Sequence, residues 1–167
     1  MQIWLSAAHI AGKVNVIADD LSRNFNDDLE WSLCDDEFNK LLQQFGHFSI
    51  DLFATCLNTK VKRFCSWSPQ PGAEWIDAFT RSWTDEFFYA FPPSSLTGRV
   101  LQKARRDQAR GVIVAHDWKS QPFYSQLVTL ARDTLVIKTT PRTLTLSHDR
   151  ERVHPLAGKL RLLVVLL

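Results

Sequence analysis

The sequence predicts an α/β domain with a mostly parallel sheet flanked by helices, and three observations within residues 87–118 lead to this prediction. The aromatic run at 87–91 is typical of a buried strand, and the two prolines at 92–93 end it because proline cannot donate to a ladder. Apolar residues then recur at helical spacing over 96–104. A second apolar run at 112–115 completes a strand–helix–strand series, whose length favours a parallel crossover.

The elements before this segment follow from local signals. A helix is predicted to begin near Asp35, where acidic residues favour the helix dipole, and to end at Gly46. Residues 48–54 are predicted to form the next strand. A Pro/Gly-rich loop over 66–76 and a short helical turn at 77–79 then lead to the central segment.

The boundaries of the central helix and the elements after it are also predicted. Ser94 or Ser95 is expected to cap the helix, and Gly111 is expected to end it. Beyond it we expect a helix from Gln121, a strand over 133–137 and an edge strand over 142–146. The apolar end of the chain, 160–167, is interpreted as an element whose partner is missing.

Composition and charge favour a globular domain and weigh against several classes of function. The chain of 167 residues is 45% hydrophobic and 23% charged, and its net charge of +2 is too small to indicate nucleic-acid binding by itself. Its apolar end is too short to span a bilayer and no secretory signal is evident, so we expect an intracellular chain, in cytoplasm or nucleus, with no membrane partner. Cys34, Cys56 and Cys65 form no CxxC pair, which indicates a reducing compartment, and their spacing is wrong for a zinc site with His47.

The segment 9–23, HIAGKVNVIADDLSR, resembles the carboxyl end of the ribonuclease H domain of retroelement reverse transcriptases. The resemblance implies that His9 is the mobile-loop histidine that aids product release and that Asp19 is the last carboxylate of a two-magnesium site. Two metals roughly 4 Å apart need several carboxylates, and the family's other three come from segments that this chain does not contain. Residues 1–24 are therefore expected to be an inactive remnant, with magnesium bound only in the intact parent protein.

A second resemblance covers most of the chain and points to the region between ribonuclease H and tyrosine recombinase in DIRS-type retrotransposons. The residues that carry it are Asp51-Leu52-Phe53-Ala54, Asn58, Trp83, Tyr89-Ala90-Phe91-Pro92-Pro93, Val100-Leu101, Trp118, Gln121-Pro122-Phe123 and His154-Pro155-Leu156. Within that region the middle block resembles a phage-type DNA adenine-N6 methyltransferase. This implies a Rossmann-like fold.

The tetrad Phe91-Pro92-Pro93-Ser94 departs from that family's pattern. In such enzymes a strand ends in (Asp/Asn)-Pro-Pro-(Tyr/Phe), whose polar residue binds the adenine amino group and whose aromatic residue stacks on the flipped base. Phe91 cannot accept amino hydrogens, Ser94 offers no ring, and Ala54-Thr55-Cys56 replaces the usual Gly-rich loop. The fold is therefore expected to be kept without methyl transfer and without a cofactor. An active DNA adenine-N6 methyltransferase using S-adenosylmethionine is the alternative.

Other candidate binding residues are less specific. Asp51 and Asn58 are candidates for cofactor binding, with Asp51 either holding a ligand hydroxyl or acting as a capping or ion-paired carboxylate. Two basic groups are either solvated faces or phosphate contacts. They are Lys60, Lys62 and Arg63 in one group and Lys103, Arg105 and Arg106 in the other. His116-Asp117 is a further candidate pair, although adjacent residues at a strand end usually point in different directions.

These observations divide the chain into four parts. They are a ribonuclease H remnant (1–24), a linker (25–36), a methyltransferase-like α/β domain (37–147) and a linker toward a missing recombinase domain (148–167). The predicted function is that of a retrotransposon Pol polyprotein fragment. Its methyltransferase-like module is expected to be non-catalytic and to contact DNA or RNA beside the reverse transcriptase and recombinase domains. A degenerate open reading frame without selected function is the third hypothesis.

Overall fold

A computed structural model of the chain describes residues 31–167. Within this range there are three α-helices: α1 (Asp35–Phe45), α2 (Thr97–Arg106) and α3 (Phe123–Leu130). The strands of the same range are β1 (Ser32–Leu33), β2 (Ile50–Asp51), β3 (Cys65–Ser66), β4 (Trp75–Ile76), β5 (Phe87–Ala90), β6 (Arg110–His116), β7 (Asp133–Lys138), β8 (Leu144–Thr145) and β9 (Arg161–Leu166). Short 3-10 helices occur at Ala78–Thr80 and Ser94–Leu96. This mixture of strands and helices confirms the α/β class.

A five-stranded sheet lies at the centre of the fold, with its strands in the order β2-β5-β6-β9-β7. Strands β2, β5 and β6 are parallel, with Asp51 opposite Tyr89 and Tyr89 opposite Val112. The predicted crossover from β5 through α2 to β6 is therefore confirmed. Strand β9 is antiparallel to both of its neighbours, β6 and β7.

Strand β9 corrects two expectations. The segment 148–167 was expected to be a linker with its partner missing, but Arg161–Leu166 lies inside the sheet between β6 and β7. Its apolar side chains are buried on both faces, with Leu163 and Val165 on one side and Leu162 and Val164 on the other. A central strand needs such an uninterrupted apolar run. The sheet is consequently mixed and not mostly parallel.

The small parallel sheet of β3 and β4 continues the larger sheet beyond β2. An isolated parallel bridge joins Asp51 to Phe64, and the backbone N–H of Asp51 donates to the carbonyl of Arg63 at 2.9 Å. The N–H of Ala54 donates to the carbonyl of Cys65 at 3.1 Å. Across this junction the strands follow the order β4-β3-β2-β5-β6-β9-β7, and within this series of described strands β9 alone is reversed.

Helices and loops cover both faces of the sheet. On one face α2 and α3 pack over Phe88 and Ile113, together with the fully buried Trp83. On the other face α1 packs through Phe38 and Leu41, beside the antiparallel pair β1–β8. Helix α1 spans the residues that its apolar spacing predicts, and Gly46 ends it with a φ of 92°.

The central helix ends earlier than the sequence predicts. Helix α2 stops at Arg106, and Gly111 lies inside β6 instead of ending the helix. A Cβ at Gly111 would be 2.5 Å from the ring and from the carbonyl oxygen of Phe88, so this glycine is required for the close approach of β5 and β6. The predicted cap is also wrong, because Ser94 and Ser95 both lie in the 3-10 turn before α2, and the N-cap residue of α2 is Leu96, which makes no side-chain cap hydrogen bond.

Among the described residues, no helix has the length and apolar character needed to cross a membrane.

Candidate functional site

A cavity of about 720 Å³ opens at the edge of the sheet where β2, β5 and β6 have their carboxyl ends. The strand order reverses direction here, since β3 and β4 lie to one side of β2 and β5 and β6 to the other. In open α/β sheets, ligands bind at such a point, and the volume lies within the range of ligand pockets. The wall includes the segment 52–58 after β2, Phe91-Pro92-Pro93 after β5, and His116 at the end of β6.

Aromatic and apolar side chains form much of the cavity wall. Phe53 and Phe79 meet edge to face with ring centroids 5.8 Å apart, and the guanidinium of Arg99 lies 3.8 Å from the centroid of Phe79. Trp67 and Leu57 stand at the mouth, with 66% and 71% of their surface exposed. Exposed apolar side chains beside an apolar cavity are typical of a binding site.

Asp51 supports the cavity wall from behind. Its buried carboxylate accepts the N–H of Phe53 at 3.3 Å and the N–H of Lys60 at 3.1 Å, so that it holds both ends of the loop between β2 and β3. Burial raises the pKa of Asp51 to about 6, against which these two hydrogen bonds act. Because both oxygens bind backbone groups, the geometry favours the capping interpretation of Asp51 over direct contact with a ligand.

Asn58 lies in the cavity wall and shapes the same loop. Its Oδ1 accepts the N–H of Thr55 at 2.7 Å, which closes a tight turn. Gln70 accepts the N–H of Cys56 at 2.8 Å from the opposite loop. These side chains replace a Gly-rich turn by fixing the loop with side-chain hydrogen bonds.

The tetrad that departs from the methyltransferase pattern lies at the cavity as its sequence position predicts. Phe91 and both prolines line the wall, and the Phe91 ring lies 6.4 Å from the ring of His116. Ser94 Oγ is hydrogen-bonded to Nδ1 of His116 at 2.5 Å. Phe91 thus presents a phenyl ring to the cavity, and the hydroxyl of Ser94 is engaged by an imidazole.

His116 and Asp117 do not act as a pair. Asp117 binds the guanidinium of Arg161 at 3.1 Å and accepts the hydroxyl of Tyr124 at 3.0 Å. The His116 ring instead stacks on Trp118, with centroids 4.3 Å apart and an interplanar angle of 13°. Burial, and to a lesser degree the charge of His154, lowers the pKa of His116, so its neutral form is favoured.

Two further titratable residues in the wall were not among the predicted site residues. Asp77 follows β4 with a φ of 55°, a strained conformation for a residue other than glycine, and its Oδ1 accepts the N–H of Phe79 at 3.0 Å. His154 lies in the long segment between β8 and β9, with its ring edge-on to Trp31 at 4.7 Å. Asp77 could not be assigned to a site because β4 is too short to predict. His154 was noted only as part of the second resemblance, and it lies at the cavity only through the tertiary fold.

Most of the predicted nucleic-acid contacts already have acidic partners. Four of the six are ion-paired: Lys60 with Asp35, Arg63 with Glu74 and Glu86, and both Lys103 and Arg106 with Asp107. Lys62 and Arg105 are exposed. Because α2 runs from the carboxyl end of β5 back to the amino end of β6, its last basic residues lie at the edge of the sheet opposite the cavity.

His9 and Asp19, which carry the expected resemblance to ribonuclease H, lie outside the described residues. Within 31–167, no group of three or more His, Cys, Asp or Glu side chains is arranged to hold a metal ion. Comparison of the chain with protein-family models and with curated proteins finds no match to either.

Proposed function

We propose that residues 35–167 form a Rossmann-like, methyltransferase-like domain of a DIRS-type retrotransposon Pol polyprotein, which contacts nucleic acid and does not transfer methyl groups. The observation that carries this proposal is the cavity between β2 and β5, at which the tetrad Phe91–Ser94 lies. The order β4-β3-β2-β5-β6 matches the 3-2-1-4-5 part of a doubly wound fold, and its ligand position is the same. The reversed β9 is a departure from an all-parallel sheet.

Phe91 and Ser94 are the two residues that disfavour methyl transfer. An acceptor is needed at the first tetrad position because the adenine amino group must be held while it reacts. The Phe91 ring has no such atom, and a buried amino group facing it would be left without a partner, which costs about 1–3 kcal/mol. Ser94 has no ring to stack on a base, and its hydroxyl is directed at His116.

The loops around the cavity carry exposed basic residues, which favour contact with nucleic acid. Exposed basic residues follow the carboxyl ends of β6 and β7 or begin α2, on the same edge as the cavity. They are Arg99, Lys119, Arg142, Arg150 and Arg152. Asp149 and Glu151 offset part of this charge. A cationic rim beside exposed Trp67 combines the two features of single-strand binding, phosphate attraction and base stacking.

The test is fluorescence anisotropy of the full chain with labelled single-stranded and duplex oligonucleotides, between about 50 and 200 mM salt. We expect binding that weakens with salt. The double variant Lys119→Gln/Arg142→Gln should reduce the slope of log K against log salt by about 1.4 for a single strand, since each phosphate contact contributes about 0.7. The matched control, Lys62→Gln/Arg105→Gln, removes the same charge from the opposite edge and should leave the slope unchanged.

A second candidate is the active methyltransferase, and the open cavity with Asp77 in its wall favours it. Asp77 could accept hydrogen bonds from S-adenosylmethionine, and the apolar wall at Phe53 and Phe79 suits the flat part of such a molecule. If bound there, the cofactor would supply the methyl group. Calorimetry with S-adenosylmethionine and transfer of labelled methyl groups to DNA separate the two candidates. Transfer above background would refute the non-catalytic proposal.

A further inference from the structure

The cavity wall contains two imidazoles that reach it from different parts of the chain. His116 ends β6, and His154 lies in the segment that leads to β9. The two rings are close enough for the charge of His154 to lower the pKa of His116. The tertiary fold thus brings two nitrogen bases from distant parts of the chain into the wall of one cavity.

Hydrogen bonding decides which ring nitrogen is available to a ligand. The N–H of Leu156 donates to Nδ1 of His154 at 3.1 Å, so Nδ1 carries no proton and the neutral ring is protonated at Nε2. Nδ1 of His116 is engaged by Ser94. Within residues 31–167 neither Nε2 has a hydrogen-bond partner, and each ring is held in place by a tryptophan, Trp118 or Trp31.

The carboxylate of the described cavity wall, Asp77, lies at the far end of the cavity from His116. Asp77 follows β4, and His116 ends β6, which is four strands away in the order β4-β3-β2-β5-β6. At about 4.8 Å per strand, the two chain positions are roughly 19 Å apart along the sheet. One small group cannot contact both, so a ligand that fills the cavity must present a hydrogen-bond donor at one end and an acceptor or anion at the other.

We propose that His116 and His154 form a phosphate-binding site at one end of the cavity, which holds the phosphate of a nucleotide, either free or within a strand. This inference rests on the proposed nucleic-acid contact, for which it names the groups that recognise the ligand. The Nε2–H of His154 suits a phosphate oxygen, as does that of His116 in the tautomer in which the Ser94 hydroxyl donates to Nδ1. Protonation gives both rings an Nε2–H and adds charge-assisted hydrogen bonds. Asp117, the carboxylate nearest in sequence, is turned away to Arg161 and Tyr124 and does not neutralise the pair.

Phosphate binding should be accompanied by proton uptake. In the empty cavity the pKa of both rings is lowered, chiefly by burial. A phosphate anion between the rings favours their charged forms, and by linkage lower pH must then favour phosphate binding. One proton taken up per ligand changes the affinity by up to tenfold per pH unit.

The experiment is isothermal titration calorimetry of the full chain with adenosine 5′-monophosphate, adenosine and a short single-stranded oligonucleotide. Measurements at about pH 6 and pH 8, in two buffers of different ionisation enthalpy, count the protons taken up. Because the second pKa of a phosphate monoester is itself about 6, the affinity at each pH is calculated for the dianion of the monophosphate. On that basis we expect the monophosphate to bind at least about tenfold more tightly at the lower pH, and adenosine to bind more weakly with no such dependence. Equal binding of adenosine and its monophosphate, or binding of the monophosphate that is independent of pH, would overturn the proposal.

Histidine variants and a titration of the histidine ring resonances identify which imidazoles bind the phosphate. His116→Gln and His154→Gln should each remove most of the pH dependence, whereas His47→Gln, an exposed histidine before β2, should retain it. Because His116→Gln could disturb folding, the ring Hε1 resonances of His116 and His154 are also titrated in the unmodified chain. Both pKa values should rise when the monophosphate is added, and unchanged values would refute the assignment.

The same titrations show whether the bound phosphate belongs to a strand or to a free nucleotide. They also test the proposed nucleic-acid contact separately from the phosphate site. Competition between the oligonucleotide and the monophosphate would assign the site to a strand, and binding of the monophosphate alone would assign it to a free nucleotide. The second result would refute nucleic-acid contact while supporting the phosphate site. Salt-sensitive oligonucleotide binding that survives both histidine variants would instead support nucleic-acid contact and refute the phosphate site.

Discussion

Replacement of Asp51 by asparagine should change how the stability of the chain depends on pH. Asp51 is 2% exposed, and its carboxylate accepts the N–H groups of Phe53 and Lys60. Burial raises its pKa from 3.8 to about 6. The folded chain therefore binds this proton more tightly than the unfolded chain. Stability from this group is fully present below pH 3.8 and is lost as the pH rises through about 6.

The size of the effect follows from the two pKa values. A shift of about 2.2 units corresponds to about 3 kcal/mol between the acidic and alkaline limits. Between pH 7.5 and pH 5 the same values yield about 1.4 kcal/mol of added stability. His116 and His154 act in the opposite direction, because their lowered pKa values make folding less favourable when they become charged. A single pH profile would therefore mix opposing contributions.

The comparison of Asp51→Asn with the unmodified chain isolates the carboxylate, since both chains keep the two histidines. Urea unfolding followed by tryptophan fluorescence yields the free energy of unfolding at each pH. The difference between the two chains should change by about 1.4 kcal/mol from pH 7.5 to pH 5, in favour of the unmodified chain. A constant difference across this range would refute the assignment of a raised pKa to Asp51.

Two further predictions concern packing at the edge of the sheet opposite the cavity. Gly111→Ala should lower the free energy of unfolding by about 1–3 kcal/mol, because its Cβ would lie 2.5 Å from Phe88. The control is Gly98→Ala in α2, whose Cβ meets no atom closer than 3.8 Å. This control should be neutral or stabilising by up to about 1 kcal/mol. Equal urea midpoints for the two variants would contradict this account of the β5–β6 contact. Lys103→Met should cost about 2–3 kcal/mol, because it removes the ammonium partner of the largely buried Asp107 and leaves this carboxylate with only the more distant guanidinium of Arg106, at 3.4 Å. Lys103→Met/Asp107→Asn should recover part of that loss. A double variant less stable than the single one would argue against weakened pairing of Asp107 as the cause.

Local sequence patterns were sufficient to predict the elements whose apolar residues follow a single helical or strand periodicity. The apolar face of α1 with Gly46 after it, the aromatic strand β5, and the parallel crossover to β6 could be predicted because each depends on neighbours within a few residues. The end of α2 could not be predicted correctly. Glycine commonly follows a helix, and only the short distance between Gly111 and Phe88 shows that this glycine belongs to a strand. The candidate site was predicted at Phe91–Ser94, which directly follows β5, and at Asn58, which lies in the loop between β2 and β3.

The sequence by itself determined the α/β class and the position of Pro92 and Pro93 at the carboxyl end of β5, where the cavity opens. Only the tertiary structure decided that Arg161–Leu166 is a central strand and that Asp51 supports a loop. It also decided that His116 and His154 share one wall of the cavity. The physical reason is that periodicity and turn signals report interactions between near neighbours in the chain. The pairing of β9 and the meeting of two histidines depend instead on segments that only the closed sheet brings together.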